Sequence, residues 1–392
     1  MEEENLRKMA IEQYLQDKAP ASIYREMGRS KPWFFKWLRR YQSGDADWYR
    51  DRPRIPRSHP HQIQPDTRKL VTNIRIQLEK NPYAQVGTSA IKWEFNKLGI
   101  TPPSDRTINR ILKREGLVKK NSLYPKGVEY PYFTEALGIN NIHQADLLGP
   151  RYIKDDGRFY SLNVMDLYSH RVFLHPQRRK DDQAVALCLI NCWRTMGMPD
   201  FLQLDNELCF RGSNRYPRSF GVVLRVCLLL GIELVFIPIR EPWRNGVVES
   251  FNDTYNRRFF RTQWFHSYRH LRSQSKNFEL FHNRHHRYSC LKGKTPLQFI
   301  QENDYSPILP PPRFTLPSID YVPDGTISLI RFIRNDRRLD IFGEHFELPK
   351  ALIYSYVRVK IITDLHQIQI YTGNDLVITF PNQLPPWVAP DS

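Results

Sequence analysis

The chain has 392 residues, 41% of them hydrophobic and 13% aromatic, enough for more than one packed core. Lys and Arg outnumber Asp and Glu 58 to 41, a formal net charge of +17 with a pI near 9.6, which calls for a polyanionic partner, nucleic acid first among them. No apolar run reaches the roughly 18 residues of a membrane span, and the acidic start MEEENLRKMA lacks an export signal's apolar core, so a cytoplasmic location is expected. The 5 Cys form no CxxC pair, which fits reduced thiols; Cys188 and Cys192, four apart on an expected helix, read as small apolar packing residues rather than zinc ligands.

The first block, residues 1–45, reads as three helices: Leu6–Leu15, Ala21–Met27 and Lys31–Tyr41. Ser30 is an N-cap candidate, with Pro32 in the first turn. Trp33, Trp37 and Tyr41 recur at spacing four and are expected on the buried face. Arg29, Lys31, Lys36, Arg39 and Arg40 cluster on and before the third helix, the grammar of a helix-turn-helix with a basic second helix for a major groove. Residues 46–65 form a basic, Pro-rich linker whose Arg52, Arg54 and Arg57 are candidates to lie along phosphates. A second helix-turn-helix is expected over residues 66–120, with helices at Asp66–Lys80, Ser89–Leu98 and Asp105–Glu115. Gly99 and Gly116 mark helix stops, Ser104 is an N-cap candidate, and Arg106, Asn109, Arg110, Lys113 and Arg114 line the last helix. A linker is expected over residues 121–138.

Residues 139–303 alternate strands and helices. Strands are expected at Asn141–Asp146, Tyr152–Ile153, Phe159–Asp166, Arg171–His175, Phe201–Leu204 and Glu233–Pro238. Helices are expected at Asp181–Met196, at a segment ending near Gly231, and at Asn245–Arg261. This order predicts a mixed five-stranded sheet with helices on both faces. Beyond the Pro-rich stretch Pro307–Pro312, short alternating runs over residues 313–385 predict a small β-barrel, made basic by Arg331, Arg334, Arg337, Arg338 and Lys360.

Three acids stand where this pattern ends strands or begins a helix. Asp146 follows Asn141–Ala145, Asp205 follows the apolar Phe201–Leu204, and Glu249 comes early in the long helix, sharing a polar face with Asn252 and Asn256. Mg²⁺ and Mn²⁺ prefer carboxylate oxygens, and phosphodiester chemistry needs both an activated oxygen nucleophile and a stabilised leaving oxygen, which two ions held by such acids supply.

The segments HQADLLGPRYIKDDGRFYSLNVMDLYSHRVF, FLQLDNE and GIELVFIPIREPWRNGVVESFNDTYNRRF resemble the integrase core of DDE insertion-sequence transposases and retroviral-type integrases, and NRHHRYSCLKGKTPLQF resembles the segment that closes that core. The resemblance implies an RNase H-like fold and gives Asp146, Asp205 and Glu249 the catalytic, metal-holding roles, with two divalent ions per site. It implies a transposase that cleaves strands at element ends, joins them to target DNA, reads terminal inverted repeats through its helix-turn-helix domains, and acts on double-stranded DNA as a homodimer or larger in a prokaryotic cell, associated with the nucleoid. Arg244, Arg257 and Arg258 beside the Glu249 helix join the candidate DNA contacts. Three features depart from the family. His143 stands where Trp is common, Glu207 follows the Asp-Asn pair in place of Gly, and the 43 residues between Asp205 and Glu249 exceed the usual spacing. The excess is expected in a loop at Cys209–Phe220, whose Arg211, Arg215 and Arg218 could touch DNA. Asp166 reads as a structural acid, Asp155 and Asp156 as turn residues, and His282, His285 and His286 as solvated or phosphate-facing. Trp243 reads as a packing residue with base stacking as the alternative.

Overall fold

The computed structural model describes residues 3–51, 63–118, 130, 132, 133, 135–212 and 220–382. The chain forms two compact units, Met1–Gln64 and Pro65–Ser392.

In the first unit, α1 (Glu3–Leu15), α2 (Pro20–Glu26) and α3 (Lys31–Gln42) pack around Ala10, Ile11, Ile23, Phe34 and Leu38. The Ser30 hydroxyl accepts from the Trp33 N–H, as an N-cap should. The buried face of α3 is Phe34, Trp37 and Leu38, whereas Trp33 is half-buried and Tyr41 is 37% exposed. The expected Trp33–Trp37–Tyr41 face is thus shifted by one position, because residues three and four apart make the continuous stripe.

In the second unit, α4 (Pro65–Lys80), α5 (Thr88–Lys97) and α6 (Asp105–Arg114) form a second three-helix group. Ser104 caps α6 through the Thr107 N–H, and Gly99 and Gly116 take the left-handed conformation that ends α5 and α6 (φ 68° and 71°). Tyr83 packs on Phe278 and Phe281, and the Gln85 side chain hydrogen-bonds the Arg287 backbone through both its amide groups, so the three helices are fastened to the rest of this unit.

The central element is a nine-stranded sheet. β1 (Ile142–Ile153), β2 (Gly157–Asp166) and β3 (Val172–Gln177) are antiparallel; β4 (Phe201–Leu204) and β5 (Glu233–Phe236) add in parallel on the other side of β1. The two expected strand pieces around residues 142–153 are one strand, with an irregularity between Leu148 and Arg151. One face buries Ala145, Leu162, Val164 and Phe173 under α7 (Asp182–Met196), α8 (Leu208–Arg211) and α9 (Val222–Leu229); Cys188 and Cys192 pack there as expected. The other buries Met165, Val172 and Leu174 under α10 (Gly246–Tyr255) and α11 (Tyr268–His285), and α12 (Pro296–Glu302) closes the segment. The expected helix from Asn245 to Arg261 has three parts: a 3-10 turn at Pro242–Asn245, α10, and a widened π turn at Asn256–Phe260.

The C-terminal strands fall where alternation puts them: β6 (Thr326–Phe332), β7 (Arg338–Ile341), β8 (Glu344–Glu347), β9 (Tyr356–Ile362), β10 (Gln367–Thr372) and β11 (Asp375–Pro381). They correct the expectation of a self-contained barrel. β6 pairs in parallel with β5, and β9, β10 and β11 extend the same sheet, while β7 and β8 form a separate hairpin. The join is anchored by Arg331, which is buried rather than basic surface: its guanidinium donates to the Ile237 and Asp340 carbonyls and to the Asn206 side chain.

Candidate active site

β1 and β4 run side by side with Ile142 opposite Phe201, His143 opposite Leu202 and Gln144 opposite Gln203. Two residues further along each, Asp146 and Asp205 reach the same level and the same face, on backbones roughly 5 Å apart. Glu249 arrives from α10. That helix is pinned to β1 by buried amides: the Gln144 side chain accepts from the Val248 N–H (3.0 Å), and Asn245 donates to the Ala145 carbonyl (3.0 Å). Gln203 donates to the Arg244 carbonyl (2.9 Å), so both strands hold the turn that aims α10. One helical turn past Glu249, Asn252 donates to an Asp146 carboxylate oxygen (2.5 Å) and accepts from Asn163 (2.7 Å), the residue opposite Asp146 on β2.

The electrostatics register the convergence. Burial, with Asp205 and Glu249 adding like charge, pushes Asp146 up to about 6. Burial raises Asp205 and Glu249 as well; Glu207 adds to the first and Asp205 to the second. Glu207 is engaged elsewhere, by Lys180 (3.0 Å), while its N–H caps Asp205 (3.0 Å). Three mutually repelling acids offering only oxygen suit a hard divalent cation. As the side chains stand, however, no group of three His, Cys, Asp or Glu among the described residues is set in a metal-ligating arrangement.

The other candidates divide. Lys31, Lys36, Arg39, Arg106, Asn109, Arg110, Lys113 and Arg114 are exposed on their helices. Arg29 pairs with Glu3, and Arg40 donates to the Arg50 carbonyl and lies over Trp37. Arg244 bonds Glu241 and the Tyr356 hydroxyl and lies over the Tyr130 ring. Arg257 pairs with Asp253, and Arg258 donates to the Pro82 carbonyl. Arg211 donates to the Asn206 carbonyl. Arg52, Arg54, Arg57, Arg215 and Arg218 lie outside the described residues. Asp166 is structural: it accepts from the Asn140 and Ser169 N–H groups. His282 is buried and His286 half-buried, with burial lowering the pKa of both, so neither is a solvated His as expected; His285 is exposed. Trp243 is 60% exposed, so it is not the packing residue expected.

The residues missed are the amides Gln144, Asn163 and Gln203, whereas Asn252 stands on the polar face already read for the Glu249 helix. A signal for two of them lies in plain view: HQAD and LQLD place a Gln two residues before each Asp.

Residues 230–296 match the family model for the integrase core domain. No curated protein sequence matches the chain. Among solved structures, the HTLV-2 integrase catalytic core domain in complex with magnesium is similar at 16% identity over 42% of this chain and 99% of that one, TM-score 0.32. The simian T-cell lymphotropic virus intasome in complex with PP2A regulatory subunit B56 gamma aligns at 16% identity over 76% and 93%, TM-score 0.36. The catalytic core domain of BIV integrase aligns at 16% identity over 42% and 96%, TM-score 0.30. The family match covers β5, α10 and α11, the stretch that brings Glu249 to the mixed β1 to β5 sheet.

Proposed function

We propose that the chain is a DDE transposase, a polynucleotidyl transferase that cuts DNA strands at the ends of a mobile element and joins them to target DNA. What supports this reading most is the placing of Asp146 within β1 and Asp205 just past β4, its parallel neighbour, with Glu249 on a helix pinned to β1 and like charge among the acids helping to raise Asp146 and Glu249.

Asp146, Asp205 and Glu249 would hold two Mg²⁺ or Mn²⁺ ions. When bound, these supply Lewis-acid stabilisation of the attacking and leaving oxygens. The chain's own part is placement. Asn252 orients Asp146, Gln144 and Asn245 fix α10 against β1, and Gln203 sets the turn before it. In the first step water attacks the phosphodiester at the element end, forming a P–O bond and releasing a 3′-hydroxyl. In the second that hydroxyl attacks a target phosphate and displaces the target strand's 3′-oxygen. No covalent enzyme intermediate is required. The exposed cations of α3 and α6 would grip duplex phosphates and read the inverted repeats, and two element ends call for at least two protomers.

Cleavage and joining of labelled element-end DNA with Mg²⁺ or Mn²⁺ tests the reading. Wild type should act, while Asp205→Asn and Glu249→Gln should be inert yet still bind DNA. Metal-dependent activity that survives both substitutions would refute the site. Preference for an RNA–DNA hybrid over duplex ends would favour an RNA-cutting enzyme instead, and a wild type that binds ends without cutting them would favour a DNA-binding regulator.

A further inference from the structure

Away from the acids, a groove of about 640 Å³ runs over the outer edge of β3, between α7 on one face of the sheet and α11 on the other. Five basic side chains line it: His175, Arg194, Arg269, Arg272 and Lys276. Among the described residues no carboxylate lines it. Lys276 is paired with Glu279, which lies on the buried face of α11 and also accepts from the Leu174 N–H; Arg194 rests one N–H on the Pro312 carbonyl. Arg194, Arg269, Arg272 and Lys276 are exposed, and Asn191, Thr195 and Ser273 add neutral hydrogen-bonding groups between them. Burial, then Arg272 and Lys276, lowers His175 to about 4, so the imidazole is neutral and the positive charge is that of the Arg and Lys side chains.

An edge strand is normally a liability, because its outer N–H and C=O groups invite another strand. Here that role is closed. Asn283 takes both backbone groups of Val172, Glu279 takes the Leu174 N–H, Pro176 has no N–H and its carbonyl accepts from the Tyr268 hydroxyl. Tyr268, the large aromatic that faces the groove beside Phe173, is covered by Arg178 at 4.3 Å, so it offers no open ring for base stacking. Exposed guanidiniums on Arg194, Arg269 and Arg272, with small hydroxyl and amide groups and no aromatic platform, suit a chain of phosphates rather than bases or an apolar peptide.

We propose that this groove binds the sugar-phosphate backbone of duplex DNA as a second contact surface, separate from the acids. It rests on the reading that the chain acts on DNA. By register, Leu174 lies opposite Asn163, which lies opposite Asp146, so the groove is at the level of the acids but two strand spacings away, roughly 10 Å. The contact is blind to sequence and depends on salt.

The test uses the full chain carrying Asp205→Asn, so that no substrate is consumed, with duplex DNA of arbitrary sequence. Arg194→Gln, Arg269→Gln and Arg272→Gln are combined, and equilibrium affinity is measured from low to moderate salt. If the three guanidiniums meet phosphates, the slope of log affinity against log salt falls by roughly 2 to 3. The corresponding Lys substitutions restore it. Ser273→Cys, with no charge removed, forms a disulfide with DNA carrying a thiol tether on its backbone. An unchanged slope together with no disulfide overturns the proposal and leaves the cations to an acidic protein or to solvent. Cleavage by the otherwise wild-type chain is scored in parallel. Cleavage with an unchanged slope sinks the groove alone, a reduced slope without cleavage sinks the transposase reading alone, and absence of any DNA binding sinks the groove with it.

Discussion

The acid site on β1 and β4 and the outer edge at β3 are two charged regions of one sheet, built on opposite principles. At the acid site the charges are negative and partly buried, and they are held by amides that are themselves buried: Gln144, Asn163, Gln203 and Asn252. At the edge the charges are positive, exposed and carried on long side chains of α7 and α11. The first arrangement costs folding energy, since like charges are pressed together away from water, and it is kept in shape by hydrogen bonds that need exact partners. The second costs little, because each cation stays hydrated. A scaffold that bears such a cost at one place and avoids it at another separates the group that must be positioned from the groups that need only attract.

The sharpest way to break this contrast is to remove one acid. Asp205→Asn should lower strand cleavage about a thousandfold or more, as expected when several kcal/mol of charge stabilisation is lost. Binding should be unchanged or tighter, since repulsion falls. The triple Gln substitution at the β3 edge should do the reverse, weakening binding while cleavage at saturating DNA stays near wild type. Equal losses of cleavage rate in both would erase the distinction. One level down, Asn252→Leu keeps the helix and its volume but frees an Asp146 oxygen and leaves Asn163 without its acceptor. Cleavage at saturating DNA should fall about 10–100-fold, the usual range for groups that orient metal-binding side chains. A smaller effect than that of Trp243→Ala would show that the amide merely packs. Trp243→Ala removes an exposed ring in the turn before α10 and should reduce end-joining about tenfold, the worth of one base stack, with little change in thermal stability. A lowered melting temperature would return the ring to a packing role.

Much of this was legible before the fold was known, and the failures have a common cause. The strands β6 to β11 lie within a few residues of the alternating runs that announced them, because side-chain alternation is a local property. That β6 joins β5 was not legible. The join depends on a register between segments distant in the chain and on Arg331, whose buried guanidinium looks in the sequence like any other surface charge. The roles of Asp146 and Asp205 come from the resemblance of their segments to the integrase core, since a lone Asp after a strand is more often a cap or turn residue. Their common level comes from pairing Gln144 with Gln203, which only the parallel sheet supplies. Gln144, Asn163 and Gln203 do not stand out in the sequence because a Gln or Asn alternating with apolar residues is the ordinary mark of a strand's wet face. Here both faces are covered, so those side chains turn inward and bond to the backbone and amides of the helix and the turn before it. In the sequence His143 stands out only as a departure from a Trp. Its burial and its bond to Asn140 follow from the same two-sided covering.

His143 allows the smallest of these tests, in stability rather than in activity. It is buried three residues before Asp146, with Nε2 2.9 Å from the Asn140 side-chain oxygen, and burial, with Arg171 adding, lowers it from 6.5 to about 3. The folded protein therefore keeps a neutral imidazole at a pH where the unfolded chain binds a proton. For a group whose folded pKa is depressed, the contribution to stability is complete above 6.5 and is lost as the pH falls toward 3, at up to about 1.4 kcal/mol per pH unit. His143→Leu removes that titration while keeping the volume. It should be less stable than wild type at pH 7.5, having lost the bond to Asn140. The gap should close by about 2 kcal/mol by pH 5, where only the wild-type unfolded chain gains a proton at this position. Because each comparison is made against wild type at the same pH, the raised carboxylates Asp146, Asp205 and Glu249, which titrate with the opposite sign, cancel. Denaturant unfolding of the two proteins at the two pH values reads the difference directly. A gap independent of pH would mean that the imidazole takes up its proton in the folded state as readily as in the unfolded one, and that the floor beneath the acid strand is wetter than its burial implies.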